Sequence, residues 1–261
     1  MLNREKAVAV EAARQAGRLL VDIFEHPRTI ETKGASYNLV TEADRRSEEL
    51  ILALIHEAFP HHAILAEESD IVPPESEYLW VVDPLDGTTN YAHRYPMFAV
   101  SIALWQQGRP VLAVVYDPLR DELFQAERGT GAFLNEQPIR VSATTSLRQA
   151  LLGTGFYYER GEPMRRTLRQ IEAFFDVPIH CIRRDGSAAL DLCYVAAGRY
   201  DGFWELTLGP WDYAAGMLVI EEAGGIVTDA AGQAIGLFSR NILAANSMIH
   251  KDMLAVLART A

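Results

Sequence analysis

The chain has 261 residues, 49% hydrophobic and 23% charged, a composition that excludes collagen-like, low-complexity and disordered chains. Its 24 Lys and Arg against 35 Asp and Glu leave a formal charge of −11. That balance lacks the basic footprint of a general nucleic-acid binder and opposes anionic membranes. Apolar runs such as 98–105 and 111–116 fall far short of the ~20 residues of a membrane span. The start, MLNREKAVAV, is charged early, unlike the apolar region of a secretory signal. Cys181 and Cys193 cannot build a disulfide framework or a four-ligand zinc site, and read as two buried thiols. The expectation is a cytoplasmic protein with one large domain or two intimately packed halves.

Along the chain, 4–25 reads as an amphipathic helix, with Val8, Ala12, Ala16, Leu19, Leu20 and Ile23 near helical spacing. A second helix follows Thr41-Glu42-Ala43-Asp44, burying Leu50, Ile51, Leu54, Ile55 and Ala58, until Pro60 stops it. The period then shortens to strands at 63–66, 78–83, 97–106, 110–117 and 121–127, with turns at 129–131 and Asn135. Beyond residue 145, helices are expected at 163–175, 187–198, 211–223 and 248–259. Strands are expected at 179–183 and near 201–205, 225–229 and 241–245. This is a layered α/β (α+β) pattern, divided into an N-terminal half, 1–143, and a C-terminal half, 144–261, within one compact unit.

The most informative stretch is Trp80-Val81-Val82-Asp83-Pro84-Leu85-Asp86-Gly87-Thr88-Thr89-Asn90. A β-branched run ends in Asp83, and a proline turn delivers Asp86 three residues later, ahead of a glycine. Two carboxylates at one strand end suit a hard, oxygen-loving cation, and they repel one another without it. The bland alternative is a surface turn, since Asp-Pro and Asp-Gly are common turn dipeptides. A dehalogenase-type nucleophile fits poorly, because that motif spaces its aspartates by two. Glu67-Glu68 after Ile64-Leu65-Ala66, Asp44 at a helix start and Asp212 in Gly209-Pro210-Trp211-Asp212 repeat the theme of acids at element ends. Each alone also reads as a cap or a solvated side chain.

These stretches, with Val40-Thr41-Glu42-Ala43-Asp44, Trp211-Asp212-Tyr213-Ala214-Ala215-Gly216 and Glu221-Glu222-Ala223-Gly224-Gly225, resemble the signature motifs of the inositol monophosphatase family, in its order, over roughly residues 5–255. The resemblance implies the sugar-phosphatase fold shared with fructose-1,6-bisphosphatase, alternating helix and sheet layers, and a homodimer. It implies hydrolysis of a small phosphate monoester, inositol-1-phosphate first, with two or three Mg²⁺ ions (Mn²⁺ as substitute) and lithium inhibition. It assigns metal ligation to Glu67, Asp83, the Leu85 carbonyl, Asp86 and Asp212, and a third, looser ion to Glu67. Thr88 paired with Asp44 would orient and deprotonate the attacking water, and the Gly87 and Thr88 amides would cradle the phosphate at a helix start. Leu85, Asp86 and Asp212 are thereby expected to flank the substrate as well. Lys33, eleven residues before Asp44, matches a residue that holds a metal-bound water, or is an ordinary loop lysine.

For the alcohol half, Glu205 matches the family's contact to ring hydroxyls, and Gly186-Ser187-Ala188 its backbone contacts; Gly186 and Ser187 also read as a helix start. A histidine of some animal members is Gly209 here, while Arg184-Asp185-Gly186-Ser187-Ala188 resembles bacterial members more closely. Rival substrates are fructose-1,6-bisphosphate, histidinol phosphate and a nucleotide 3′-phosphate. For a second phosphate, Arg160, Arg165, Arg166, Arg183 and Arg184 are available. A non-catalytic regulatory or binding protein, and a glycosidase using paired acids, are readings of other classes. His61-His62 read as solvated turn residues, His93 as a neighbour rather than a ligand, and Phe156, Tyr157 and Tyr158 as core or dimer contacts or as the lining of the substrate mouth. Discrimination among the rival substrates is expected from Glu205, the 186–188 segment and the loop at 153–160.

Overall fold

A computed structural model of the chain describes residues 2–24, 30–32, 39–69, 76–156 and 161–260. Helix α1 (Asn3–Phe24) leads through a two-stranded ribbon, β1 (Ile30–Thr32) and β2 (Leu39–Thr41), into α2 (Glu42–Ala58). A seven-stranded sheet follows, built from β3 (Ala63–Ala66), β4 (Tyr78–Asp86), β5 (Ala99–Gln106), β6 (Arg109–Asp117), β7 (Glu122–Glu127), β8 (Gly131–Leu134) and β9 (Gln137–Ile139), side by side in chain order. Only β3 and β4 run parallel; the rest form an antiparallel meander. The one-turn helix α3 (Thr88–Ala92) sits between β4 and β5.

A second sheet has five strands. They are β10 (Leu151–Thr154), β11 (Cys181–Arg183), β12 (Gly202–Leu206), β13 (Gly225–Thr228) and β14 (Asn241–Asn246), in the order β11-β10-β12-β14-β13. Between and after these strands run α4 (Glu162–Asp176), α5 (Ala188–Ala196), α6 (Pro210–Glu222) and α7 (His250–Leu257).

Three apolar clusters place the layers. Ala9, Ala13 and Leu20 of α1 and Ile51 and Ile55 of α2 pack on Trp80, Val82 and Val100, one face of the large sheet. Val81, Ala103 and Val115, on its other face, meet Leu190 and Val195 of α5 and Leu218 and Val219 of α6, which also cover Phe203 and Ala244 of the small sheet. Trp204 and Leu243, on that sheet's far face, pack on Phe174 of α4 and Met253 of α7. The order is therefore helix, sheet, helix, sheet, helix. Lying between two sheets, α5 has all nine of its residues buried, as a helix without a solvent face must. Among the described residues no helix is long and apolar enough to cross a membrane.

Several expectations need correction. The buried stripe of α1 is an alanine-rich one, with Ala9, Ala13 and Gly17 inside and Val8, Leu19 and Ile23 at its margins. Gly17 lies so close to the Tyr116 ring that a side chain there would collide with it, so small residues let α1 sit down on β6. On α2 the inner face carries Asp44, Ser47 and Glu48 beside Ile51 and Ile55. The region after Glu127 is not only turns: Asn135 and Glu136, both with positive φ, close a two-residue hairpin between β8 and β9. Strands β8, β9 and β10 were too short and mixed in pattern to register in sequence. His62 is not a solvated turn residue; it stacks between Phe59 and Tyr78 and accepts a hydrogen bond from Trp80 Nε1 at 3.2 Å. Cys193 is buried, whereas Cys181 is only half-buried.

Candidate active site

The end of β4 builds the site through a break in register. Asp83 pairs with Ser101 and Asp86 with Ala99, so three steps along β4 face two along β5. In a regular strand, residues three apart point to opposite faces. The extra residue is a bulge that resets the alternation and brings Asp86 to the same side as Asp83. That side is the one covered by α5 and α6, and α6 contributes Asp212 from its first turn. Carboxylate oxygens of Asp83, Asp86 and Asp212 consequently lie within 4.8 Å of one another.

Each acid is held by its own scaffold. Asp83 Oδ1 accepts from the Leu85 amide at 3.0 Å. Asp86 Oδ2 accepts from Ser187 Oγ at 2.5 Å and the Ala189 amide at 2.8 Å, tying β4 to the start of α5. Asp212 Oδ2 accepts from the Gly209 amide at 2.6 Å, capping the helix that carries it. Burial, then the charges of Glu67, Asp86 and Asp212, push Asp83 well above the usual carboxylate range. Asp212 rises for the same reasons, burial first and then Glu67 and Asp86. Burial also pushes Asp86 up to about 6, against hydrogen bonds from Ser187 and the Ala188, Ala189 and Gly87 amides that pull it down.

Glu67 follows β3 and stands on the wall of the same pocket, outside the tight triad but close enough for its charge to act on Asp83 and Asp212. Thr88, one residue past the left-handed Gly87 that starts α3, directs its hydroxyl at Asp44 Oδ1, 2.9 Å away, with the Leu85 carbonyl at 3.1 Å. Asp44 itself is fully buried behind Thr88 and does not line the pocket.

The pocket's other walls are Leu85, Asp86, Gly87, Thr89, Gly155, Phe156, Arg184, Gly186, Ala188, Glu205, Leu208 and Trp211. Burial pushes Glu205 up to about 8, with Arg184 pulling it down and Asp86 adding to the rise. Ser187 stands apart from the expected substrate contacts: it is buried, spends its hydroxyl on Asp86, caps α5 and does not line the pocket. The Gly87 amide likewise acts on the Asp86 carboxylate, which leaves the first amides of α3, on Thr88 and Thr89, for an anion. Asn90 donates to the carbonyls of Met97 and Asp185, both at 2.8 Å, and so fastens the α3 turn to the 185–186 loop. Lys33 lies outside the described residues, as do Tyr157, Tyr158 and Arg160. His93 is exposed at the end of α3, away from the pocket.

Of the two readings of Phe156, core or dimer contact on one side and the substrate mouth on the other, the structure supports the second, with Phe156 on the pocket wall. Gly155, also on the wall, falls in the 153–160 loop expected to bear on substrate choice. Sequence reasoning missed Thr89, Leu208 and Trp211 as pocket residues, none of which carries a charge that would signal it. It also missed Asp191, buried one turn into α5, whose Oδ1 has no hydrogen-bond partner among the described residues. Burial, then the charges of Asp185, Glu205 and Asp86, raise its carboxyl well above the usual range.

Over residues 1–261 the chain matches the model of the inositol monophosphatase family. The chain belongs to that family. Among its relatives, the inositol-1-monophosphatase of Synechocystis is 44% identical over 254 residues, 97% of this chain and 88% of that protein. Nus factor SuhB of Escherichia coli is 45% identical over 259 residues, 98% of this chain and 94% of its own. The solved structure of an inositol monophosphatase from Anabaena (Nostoc) superposes with a TM-score of 0.89 at 43% identity, covering 99% of this chain and 96% of that one. An inositol monophosphatase family member is a phosphatase by descent, and the family is metal-dependent in general. The donor set here fits a metal: three clustered carboxylates, with no Lys, Arg or His salt bridge to any of them among the described residues, could hold a cation between them. All-oxygen ligands of this kind suit a hard divalent cation.

Proposed function

We propose that this chain is a Mg²⁺-dependent phosphate monoester hydrolase that converts inositol-1-phosphate to myo-inositol and phosphate. The observation that carries the reading is the Thr88–Asp44 hydrogen bond beside the Asp83–Asp86–Asp212 triad, with Glu205 across the same pocket. When bound by Asp83, Asp86, Asp212, Glu67 and the Leu85 carbonyl, Mg²⁺ would neutralise the phosphoryl oxygens and make water a better nucleophile. The chain's own part is positioning and proton handling. Because the Thr88 proton is turned toward Asp44, the hydroxyl's remaining lone pair can accept a hydrogen from the attacking water, and Asp44 can take the proton that Thr88 passes on. The first amides of α3, on Thr88 and Thr89, would donate to a phosphoryl oxygen. The bond from water oxygen to phosphorus forms as the bond to the inositol oxygen breaks; the leaving alkoxide takes a proton from a solvent water, and the hydroxide left behind is neutralised when Asp44 returns its proton to solvent.

The alcohol half falls to Glu205, Arg184 and the backbone of Gly186 and Ala188. Of the arginines open to a second phosphate, Arg184 alone reaches the pocket among the described residues, while Arg165 pairs with Glu162. That favours a polyol monophosphate over fructose-1,6-bisphosphate. A cytoplasmic homodimer, lithium inhibition and a third, loosely held ion complete the reading. The test is phosphate release with Mg²⁺ from inositol-1-phosphate, fructose-1,6-bisphosphate, histidinol phosphate and a nucleotide 3′-phosphate. A clear lead in kcat/KM for inositol-1-phosphate supports the assignment, and a lead for another substrate overturns it.

The relatives named Nus factor SuhB favour a second reading, a role through a protein partner beside or instead of catalysis. An Asp83→Asn chain separates the two in cells: a phenotype that needs hydrolysis is lost, and one that needs only a docked partner survives.

A further inference from the structure

The parallel pairing of β10 with β12 ends at Thr154 opposite Trp204, where Thr154 Oγ1 also donates to the Trp204 carbonyl at 2.8 Å. Gly155, one residue past the end of β10, and Glu205, the next residue of β12, both line the pocket. The Glu205 side chain folds across Gly155: a Cβ at position 155 would overlap the Glu205 Cδ and both of its carboxylate oxygens. The backbone gives no other reason for a glycine, because Gly155 is absent from the residues of positive φ. On its far side Glu205 is hemmed in by the antiparallel partner β14, where it faces buried Ile242. Because Glu205 lines the pocket, the pocket is open space into which a displaced carboxylate can move.

We propose that Gly155 is a positioning residue for substrate selection: its missing side chain lets the Glu205 carboxylate lie back along the strand end, leaving room for a ring-sized polyol between it and the acidic triad. The inference rests on the reading that Glu205 faces the alcohol half of the substrate. With alanine at 155, the carboxylate would swing inward and occupy space that the alcohol needs. The phosphate end, held by other elements, would be reached only indirectly.

A double-mutant cycle tests this. Wild type, Gly155→Ala, Glu205→Ala and the double variant are compared for kcat and KM with inositol-1-phosphate and Mg²⁺, and for Tm in EDTA. Gly155→Ala is expected to raise KM about tenfold, with a smaller change in kcat, and to lower Tm, as forced overpacking does. In the Glu205→Ala background the same substitution should change KM by less than about twofold and leave Tm in place, because nothing remains to be displaced. Equal losses in both backgrounds, or no loss in either, overturn the proposal. If the wild type ignores inositol-1-phosphate, the functional reading fails by itself. Coupling in Tm then supports the positioning of Glu205 by Gly155, and its absence overturns it.

Discussion

Thr88 and Asp44, forty-four positions apart in the chain, meet through a hydrogen bond of 2.9 Å in which the threonine hydroxyl donates. The bond joins the first residue of α3 to the first turn of α2, and Asp44 has no exposure to solvent. In the proposed reaction Asp44 is a general base that acts through the hydroxyl in front of it. Thr88→Val and Asp44→Asn should each lower kcat by about 10²–10⁴-fold with little change in KM. The double variant should be scarcely worse than either single one, since the two residues work as one unit. Steady-state phosphate release decides it; multiplicative losses would mean that the residues act independently.

The acidic triad predicts a linkage between cation binding and stability. Asp83 is held well above its ordinary range by burial and by the charges of Glu67, Asp86 and Asp212. EDTA should abolish phosphate release, and Mg²⁺ at a hundredfold excess over its Kd should stabilise the fold by about 2.7 kcal/mol. Asp83→Asn removes one of the repelling charges, so in EDTA its Tm should equal or exceed that of the wild type. The rise on adding Mg²⁺ should largely vanish. Hydrolysis that continues in EDTA would refute the metal reading.

The clustering of acids was legible because charged residues recurring at strand and helix ends stand out against apolar neighbours and point to a shared cleft, and the family resemblance assigned them to a metal. Asp83, Asp86 and Asp212 could be named from sequence for that reason. The device that makes Asp83 and Asp86 face one way could not, since a bulge is a property of the pairing with β5 and leaves no mark in composition. The long amphipathic helices and the apolar strands β5 and β6 were equally readable. Four-residue strands such as β8 and β10 were not, because their identity comes from neighbours on either side rather than from their own pattern. The pocket's neutral walls Leu208 and Trp211 were invisible for the same reason, and Gly155 was legible only as part of the 153–160 loop. They matter by shape, and shape is set by elements far apart in the chain.

Gly87 is fixed by two independent constraints. Its φ of 93° lies in the left-handed region, and an added Cβ would sit 2.9 Å from the Met97 carbonyl oxygen. Gly87→Ala should destabilise the protein by about 2–5 kcal/mol, combining the left-handed penalty with a backbone overlap. Urea midpoints would measure it. Because the same turn aims Thr88 and Asp86, kcat should fall as well; a variant of normal stability and activity would show that the turn is free to rearrange.

His62 should make stability depend on pH on the acid side. Its ring lies between Phe59 and Tyr78, and its Nδ1 accepts from the fully buried Trp80, so the fold requires that nitrogen to be unprotonated. Burial lowers its pKa, with Glu5 opposing and His61 assisting. Below the ordinary histidine value of ~6.5 the unfolded chain therefore binds a proton that the folded chain resists, and stability falls as pH drops from there toward the folded value. His250, lowered by burial next to Thr228 Oγ1 at 3.0 Å, contributes in the same direction. His62→Phe keeps the stacking but leaves the Trp80 N–H without an acceptor, a loss of about 1–3 kcal/mol at neutral pH. It should also flatten the acid-side decline without removing the share due to His250. Urea midpoints from about pH 5 to about pH 7.5 would reveal both effects, and an unchanged slope in the variant would exclude His62 as a source of the pH dependence.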